Sequence, residues 1–267
     1  RTLAADRDVP LKLRLAIQDL LPGVDACLCA ATPGEALGSV PTAKLSTLGG
    51  GDGKAARDAV KAALAAVKTT VHDHALQHVL HLVVPLVLDV TDDAQRRAAA
   101  AAAPDVTLLI NNAAYPGSET AGQRRVLSAP DLDDARRVMD TNCWAPAELA
   151  RLFIPRIVGN GGGAVVNILS VGAYFCLPEF SSYSISKAAA AIMTAGLRAE
   201  TDRQPVLVSQ VVTGSVKTRA SPIGSTFGFT PVQHAEEVFD ALQRGETEIL
   251  AAGSNGFFGR LRADPQG

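Results

Sequence analysis

The chain has 267 residues, of which 47% are hydrophobic and only 4% aromatic, and its formal net charge is −2. That length suits one large α/β domain with a core of Ala, Val and Leu. The charge offers no footprint for nucleic acid or an anionic membrane surface, and no apolar run reaches the roughly 18 residues that a membrane-spanning helix needs.

The first eight residues, Arg-Thr-Leu-Ala-Ala-Asp-Arg-Asp, lack the apolar stretch of a secretory signal. Pro22-Gly23 and Pro33-Gly34 punctuate short apolar pieces, so residues 1–42 read as an irregular extension and residues 43–267 as the folded domain. A glycine run, Gly49 to Gly53, leads into a helical stretch at 54–67 and a short strand at 68–71 that ends near Asp73. His72, His74, His78 and His81 follow, three of them on one helical face. Asp73 is the sole carboxylate beside them, so they read as a solvated helix face and no metal site is expected. The four cysteines, Cys27, Cys29, Cys143 and Cys176, have no C-x-x-C spacing and read as free thiols of a reducing, cytoplasmic setting.

From residue 83 the pattern is regular. Apolar runs at 83–90, 106–110, 163–169 and 205–212 have no polar alternation, as strands buried on both faces should. Helical stretches at 91–103, 131–158 and 182–203 lie between them, and the Ala-rich tracts belong to these helices. Such alternation predicts a doubly wound, Rossmann-type parallel sheet with helices on both faces, binding its ligand at the carboxyl ends of the strands. Asn111, Ser170 and Gly214 fall at those ends.

Tyr183 and Lys187 are four residues apart, which on a helix places both on one face. A phenol ordinarily loses its proton near pH 10. A fixed ammonium beside it favours the phenolate and makes the group a usable acid or base. Ser170, thirteen residues upstream of Tyr183, is placed to hold a carbonyl or alkoxide oxygen while the proton moves. The chemistry suggested is interconversion of a carbonyl and an alcohol. Pro146 adds a further sign: it lacks an N–H, so the carbonyl of Asn142 four residues earlier has no helical partner.

With these residues placed, the chain from about residue 83 resembles the short-chain dehydrogenase/reductase family. The resemblance rests on Asp89-Val90-Thr91-Asp92, on Asn111-Asn112-Ala113-Ala114, on Asn142, on Ser170 with Tyr183 and Lys187, and on Thr213-Gly214-Ser215-Val216-Lys217-Thr218. It implies a catalytic tetrad of Asn142, Ser170, Tyr183 and Lys187, in which Lys187 lowers the Tyr183 pKa and holds the nicotinamide ribose, and Asn142 carries a water. It also implies that Asp89 meets the adenine ring, that Asn111 and Ala113 lie beside the cofactor, and that Val216 and Thr218 hold the nicotinamide end. Ala114 stands where the family has Gly. Thr213 stands where it has Pro, which removes one constraint on that loop.

The family's opening Thr-Gly-x-x-x-Gly-x-Gly has no clean copy here. Gly34-Glu-Ala-Leu-Gly38 has the spacing, but Pro41 disfavours a helix behind it, so Gly49 and Gly53 are the preferred phosphate loop. Asp73, 24 residues after Gly49, would then meet the adenosine ribose. Asp73 favours NAD and Lys54 favours NADP, and the choice stays open. The short segment from Arg219 to Thr230 is the expected substrate cover, with Gly224 and Gly228 as hinges. Phe227, Phe229, Tyr115, Trp144, Phe175 and Leu177 are candidate lining for a small hydrophobic carbonyl or alcohol. The resemblance implies a homodimer or homotetramer. Two other readings remain: a cofactor-independent lyase or dehalogenase on the same fold, whose known versions carry Arg at the position of Lys187, and a non-catalytic binding protein, suggested by the irregular glycines.

Overall fold

A computed structural model describes Leu86 and residues 88–118, 122, 124–217 and 228–263, with side chains to Phe258. Both glycine stretches, with Gly49 and Gly53, lie outside the described residues, as do Asp73, the histidines at 72–81, Cys27, Cys29, Thr218 and Phe227. The chain gathers into two compact units, residues 1–104 and 105–267.

In the first unit α1 spans Asp93–Ala102. Asp92 caps it by accepting from the Gln95 N–H at 2.9 Å, which satisfies one orphan donor of the first turn. Among the described residues of the 83–90 run none is in a strand, contrary to expectation. Asp89 instead opens a local turn, its Oδ1 accepting from the Thr91 N–H at 2.9 Å and the Thr91 hydroxyl at 2.7 Å. A carboxylate that satisfies backbone two residues on competes with strand pairing.

Among its described residues the second unit is built on four parallel strands in sequential order, β1 (Leu108–Asn111), β2 (Gly163–Ser170), β3 (Val206–Thr213) and β4 (Glu248–Ala251). Strands β2 and β3 pair along their whole length, from Gly163 beside Val206 to Ser170 beside Thr213. The three expected strands here are found within about two residues of their predicted bounds. Parallel strands need crossovers, and helices supply them: α2 (Asp133–Met139), α3 (Ala145–Gly159), α4 (Ser181–Glu200), α5 (Pro231–Gln243) and, after the last strand, α6 (Ser254–Ala263).

Alternation along the strands assigns the helices to opposite faces. Val166 and Ile168 pack with Val238, Ala241 and Leu242 of α5. The intervening Asn167 and Leu169 meet Thr194 and Ala190 of α4. Helix α4 approaches closely because Ser182, Ser186, Ala190 and Thr194, four residues apart, present a buried stripe of small side chains. Helix α5 begins with a capping box. Thr230 Oγ1 accepts from the Gln233 N–H at 3.2 Å, Gln233 Oε1 accepts from the Thr230 N–H at 2.9 Å, and Pro231 follows in the first turn.

The predicted helix at 131–158 is interrupted. Residues Asp140–Trp144 form a π turn between α2 and α3, and the Ala145 N–H reaches back to the Asp140 carbonyl, five residues away. Pro146 cannot donate to the Asn142 carbonyl, so the ordinary four-residue ladder fails there and the backbone widens.

Candidate active site

Ser170 ends β2, and its Oγ accepts from the Gly172 N–H at 3.1 Å, capping the 3-10 turn Val171–Ala173. That bond aims the hydroxyl out of the sheet end. A Cβ on Gly172 would lie 3.5 Å from Ser170 Oγ, 3.5 Å from Ser184 Oγ and 3.4 Å from Leu177 Cδ1, so these groups crowd one point. Ser184 Oγ accepts from the Leu177 N–H at 3.1 Å and ties this loop to α4.

Tyr183 lies in the first turn of α4, with the Ser170 hydroxyl among the groups that act on its phenol. Burial raises the Tyr183 pKa above its ordinary value, and the neighbouring Ser170 hydroxyl pulls it part of the way back. This differs from the expected lowering by Lys187. The Lys187 Nζ donates to the Ile168 carbonyl at 2.8 Å and stands 5.7 Å from the centre of the Tyr183 ring. Lys187 is only 3% exposed, and burial brings its ammonium down to about 8. Desolvation therefore governs both groups.

Asn142 sits inside the π turn and is buried. Its Nδ2 donates to the Tyr115 carbonyl and to Ser186 Oγ, each at 2.9 Å, while its Oδ1 accepts from the Tyr115 N–H at 2.7 Å. Ser186 Oγ in turn donates to the Tyr183 carbonyl at 2.7 Å. Asn142 is thus joined through Ser186 to the helix that carries Tyr183 and Lys187. Ser186 was missed in the sequence, where a serine inside Ser-Ile-Ser-Lys gives no sign of its partner.

Asn111, at the end of β1, donates from Nδ2 to Asn167 Oδ1 at 2.8 Å, and Asn167 Nδ2 donates to Thr194 Oγ1 at 2.8 Å. The two asparagines are register partners on adjacent strands. Asn167 was also missed. Its signal was available, since it is the one polar residue in the apolar run 164–169.

The loop after β3 is firmly held even though Thr213 replaces Pro. The Gly214 N–H donates to the Ala251 carbonyl at 3.0 Å and the Ser215 N–H to the Ala252 carbonyl at 3.2 Å. A Cβ at Gly214 would come within 2.2 Å of the Ala252 oxygen, so only glycine permits this approach. Val216 bridges Phe229, the Lys217 N–H donates to the Phe229 carbonyl at 2.9 Å, and Thr213 Oγ1 lies 3.0 Å from His234 Nε2.

Asn111, Ser170 and the Gly214–Val216 loop lie at or just after the carboxyl ends of adjacent strands, with Ala113 half-buried two residues beyond Asn111. Asp89, in the other unit, is exposed. Phe175 stacks on Phe257 of α6 at 4.6 Å between centroids, and Trp144 is 58% exposed. Among the described residues no three His, Cys, Asp or Glu side chains converge as a metal-binding group.

A parallel sheet carrying an Asn, Ser, Tyr and Lys set at its strand ends is the architecture of a Rossmann-type oxidoreductase. The sequence profile described as short chain dehydrogenase matches residues 53–223, and the chain belongs to that family. It is 36% identical to a short-chain dehydrogenase from Burkholderia cenocepacia whose crystal structure is a complex with NADP; the match covers 73% of this chain and 81% of that one, with a TM-score of 0.62. It is 32% identical to 1-deoxy-11-beta-hydroxypentalenate dehydrogenase of Streptomyces avermitilis, over 69% of this chain and 67% of that protein. Dehydrogenase/reductase SDR family member 7B of Bos taurus is 31% identical over 163 residues, 55% of this chain. The chain spans about half the length of that protein and of the similar vertebrate relatives it matches. No helix among the described residues is long and apolar enough to cross a membrane.

Proposed function

We propose that this chain interconverts a carbonyl and an alcohol with NAD or NADP, using Tyr183 as the acid/base. The observation that carries the reading is the placing of the buried Lys187 Nζ 5.7 Å from the Tyr183 ring, with Ser170 at the end of the strand whose Ile168 carbonyl that Nζ holds. Two hydroxyls and an ammonium suit a substrate oxygen and a ribose, and among the described residues no carboxylate is a hydrogen-bond partner of these three groups.

The bound nicotinamide would supply or accept the hydride. In this reading Tyr183 passes the proton to or from the substrate oxygen and Ser170 Oγ holds that oxygen by hydrogen bonding. Lys187 holds the ribose. The Asn142 carbonyl, deprived of a helical partner by Pro146, is the acceptor for a water that relays the proton. Val216 presents its backbone to the nicotinamide end, with Asn111 and Ala113 beside it. Gly49, Gly53, Asp73, Asp89 and Thr218 are assigned to the cofactor on sequence alone, and the profile match opens at Gly53.

A small hydrophobic carbonyl or alcohol is the substrate class of this reading, the hydroxyl chemistry in keeping with a relative named as a dehydrogenase of a hydroxylated compound, and a cytoplasmic setting fits the free thiols of Cys143 and Cys176. Self-association as a homodimer or homotetramer belongs to the same reading, because Trp144, Ile185 and Ile192 are exposed on the helices that carry Asn142 and Tyr183; sedimentation velocity measures it. The central test is Tyr183→Phe. It should retain NADH or NADPH binding by fluorescence titration while turnover of an accepted ketone falls about 10²–10⁴-fold. Unchanged turnover would sink the assignment.

A further inference from the structure

The loop after β1 is gripped from two sides by the helical segment that follows it. On one side Asn142 pairs with the peptide of Tyr115, donating to its carbonyl at 2.9 Å and accepting from its N–H at 2.7 Å. On the other side the Tyr115 hydroxyl donates to Asp134 Oδ1 at 2.8 Å. Asp134 Oδ2 accepts from the Ser118 N–H, also at 2.8 Å, so this one carboxylate takes both the side chain and the backbone of the same loop.

Asp134 is 5% exposed, an uncommon place for a carboxylate, since desolvation must be offset by hydrogen bonds. Arg137, three residues on, supplies a further donor at 2.9 Å. The loop is also shaped around Asp134. Gly117 has φ +95°, and a Cβ there would lie 3.0 Å from Asp134 Oδ2 and 3.0 Å from Arg124 Cγ. Arg124 Nε closes the far side by donating to the Gly117 carbonyl at 3.0 Å. A buried apolar residue would fill the space of Asp134 at lower cost. What the carboxylate adds is a fixed anchor for Tyr115, and Tyr115 is the residue whose peptide orients Asn142.

We propose that Asp134 is a positioning residue of the oxidoreductase site: it holds the Tyr115 hydroxyl and the Ser118 amide, and so fixes the peptide that sets the orientation of Asn142. The inference rests on the reading of Asn142 given above. Asp134 touches no reacting atom and acts only through Tyr115.

The test uses Tyr115→Phe, Asp134→Ala, Asp134→Asn and Asn142→Ala, singly and combined, in the full chain. Tyr115→Phe and Asp134→Ala should each lower kcat for ketone reduction about tenfold with the KM for the cofactor within about twofold, and Asp134→Asn should recover part of the loss. In the Asn142→Ala background neither change should lower kcat by more than about twofold, because the groups act as one unit. Losses that multiply in the combined variants, or an unchanged kcat in Tyr115→Phe, would overturn the proposal. Hydrogen exchange keeps it separable from the functional reading. The Tyr115 amide should exchange at least about tenfold faster in Asp134→Ala than in the parent chain. An unchanged exchange rate defeats the positioning role even if the parent proves inactive, whereas faster exchange in an inactive parent defeats only the proposed reaction.

Discussion

Lys187 combines an ammonium with a setting that disfavours its charge. Burial alone takes it from 10.5 to about 8, and the Ile168 carbonyl is the acceptor that keeps it in place. The unfolded chain then binds more protons than the folded one between about pH 8 and 10.5, so stability rises with pH across that window. Lys187→Met keeps most of the aliphatic stem and removes the charge. At pH 7 it should stabilise the chain by roughly 2–3 kcal/mol, less the lost hydrogen bond, and flatten the rise from pH 8 to 10. Urea unfolding at pH 7 and pH 9.5 measures both effects, and a variant less stable at pH 7 with its slope intact would refute the account. Its turnover should vanish, the usual exchange of stability for function. Tyr183 and Lys187 were legible from spacing alone because a helix fixes which side chains share a face. The direction of the Tyr183 shift was not, because burial is a property of the packed site and outweighs the pairwise effect that spacing suggests.

At the scale of elements, a line of polar groups stitches sheet to helix. It runs from Asn111 to Asn167 to Thr194 and ends on the Ala190 carbonyl, which accepts from the Thr194 hydroxyl at 2.7 Å. Buried polar groups of this kind specify register, since a slip of one residue would leave each of them without its partner. Asn167→Leu should leave the Asn111 amide buried with no acceptor and cost about 1–3 kcal/mol in chemical denaturation. Adding Asn111→Leu should restore part of it, and a neutral single substitution would show that the line contributes little. The strands at 106–110, 163–169 and 205–212 were readable because fully buried parallel strands are unbroken apolar runs. The described end of the 83–90 run departs from the expected strand for a local reason. Asp89 and Thr91 satisfy one another within the chain, a competition that hydrophobic patterning does not register. The break in the 131–158 helix was half visible, since Pro146 marks the lost hydrogen bond but not how the backbone accommodates it.

For the molecule as a whole, the residues proposed to convey chemistry were more legible than those that hold them. Asn142, Ser170, Tyr183 and Lys187 form a recognisable order along the chain, whereas Tyr115, Asp134 and Ser186 gain meaning only once distant segments meet. Asp134 lies eight residues before Asn142 and nineteen after Tyr115, and no spacing rule links them. The π turn at Asp140–Trp144 carries this separation of roles into heredity. It holds one residue more than a regular helix would need to keep Val138 on one side of it and Phe153 and Ile157 on the other in their buried places. Loss of a codon within the turn, such as that for Thr141, should bring both flanks into the register of one helix, still kinked at Pro146, leaving a folded but inactive protein by circular dichroism and assay. Loss of the codon for Arg151 would swing everything after it by about 100° and should abolish folding. A chain built this way can lose its chemistry by a single deletion and keep its fold, so in this helix catalysis and architecture are open to separate histories.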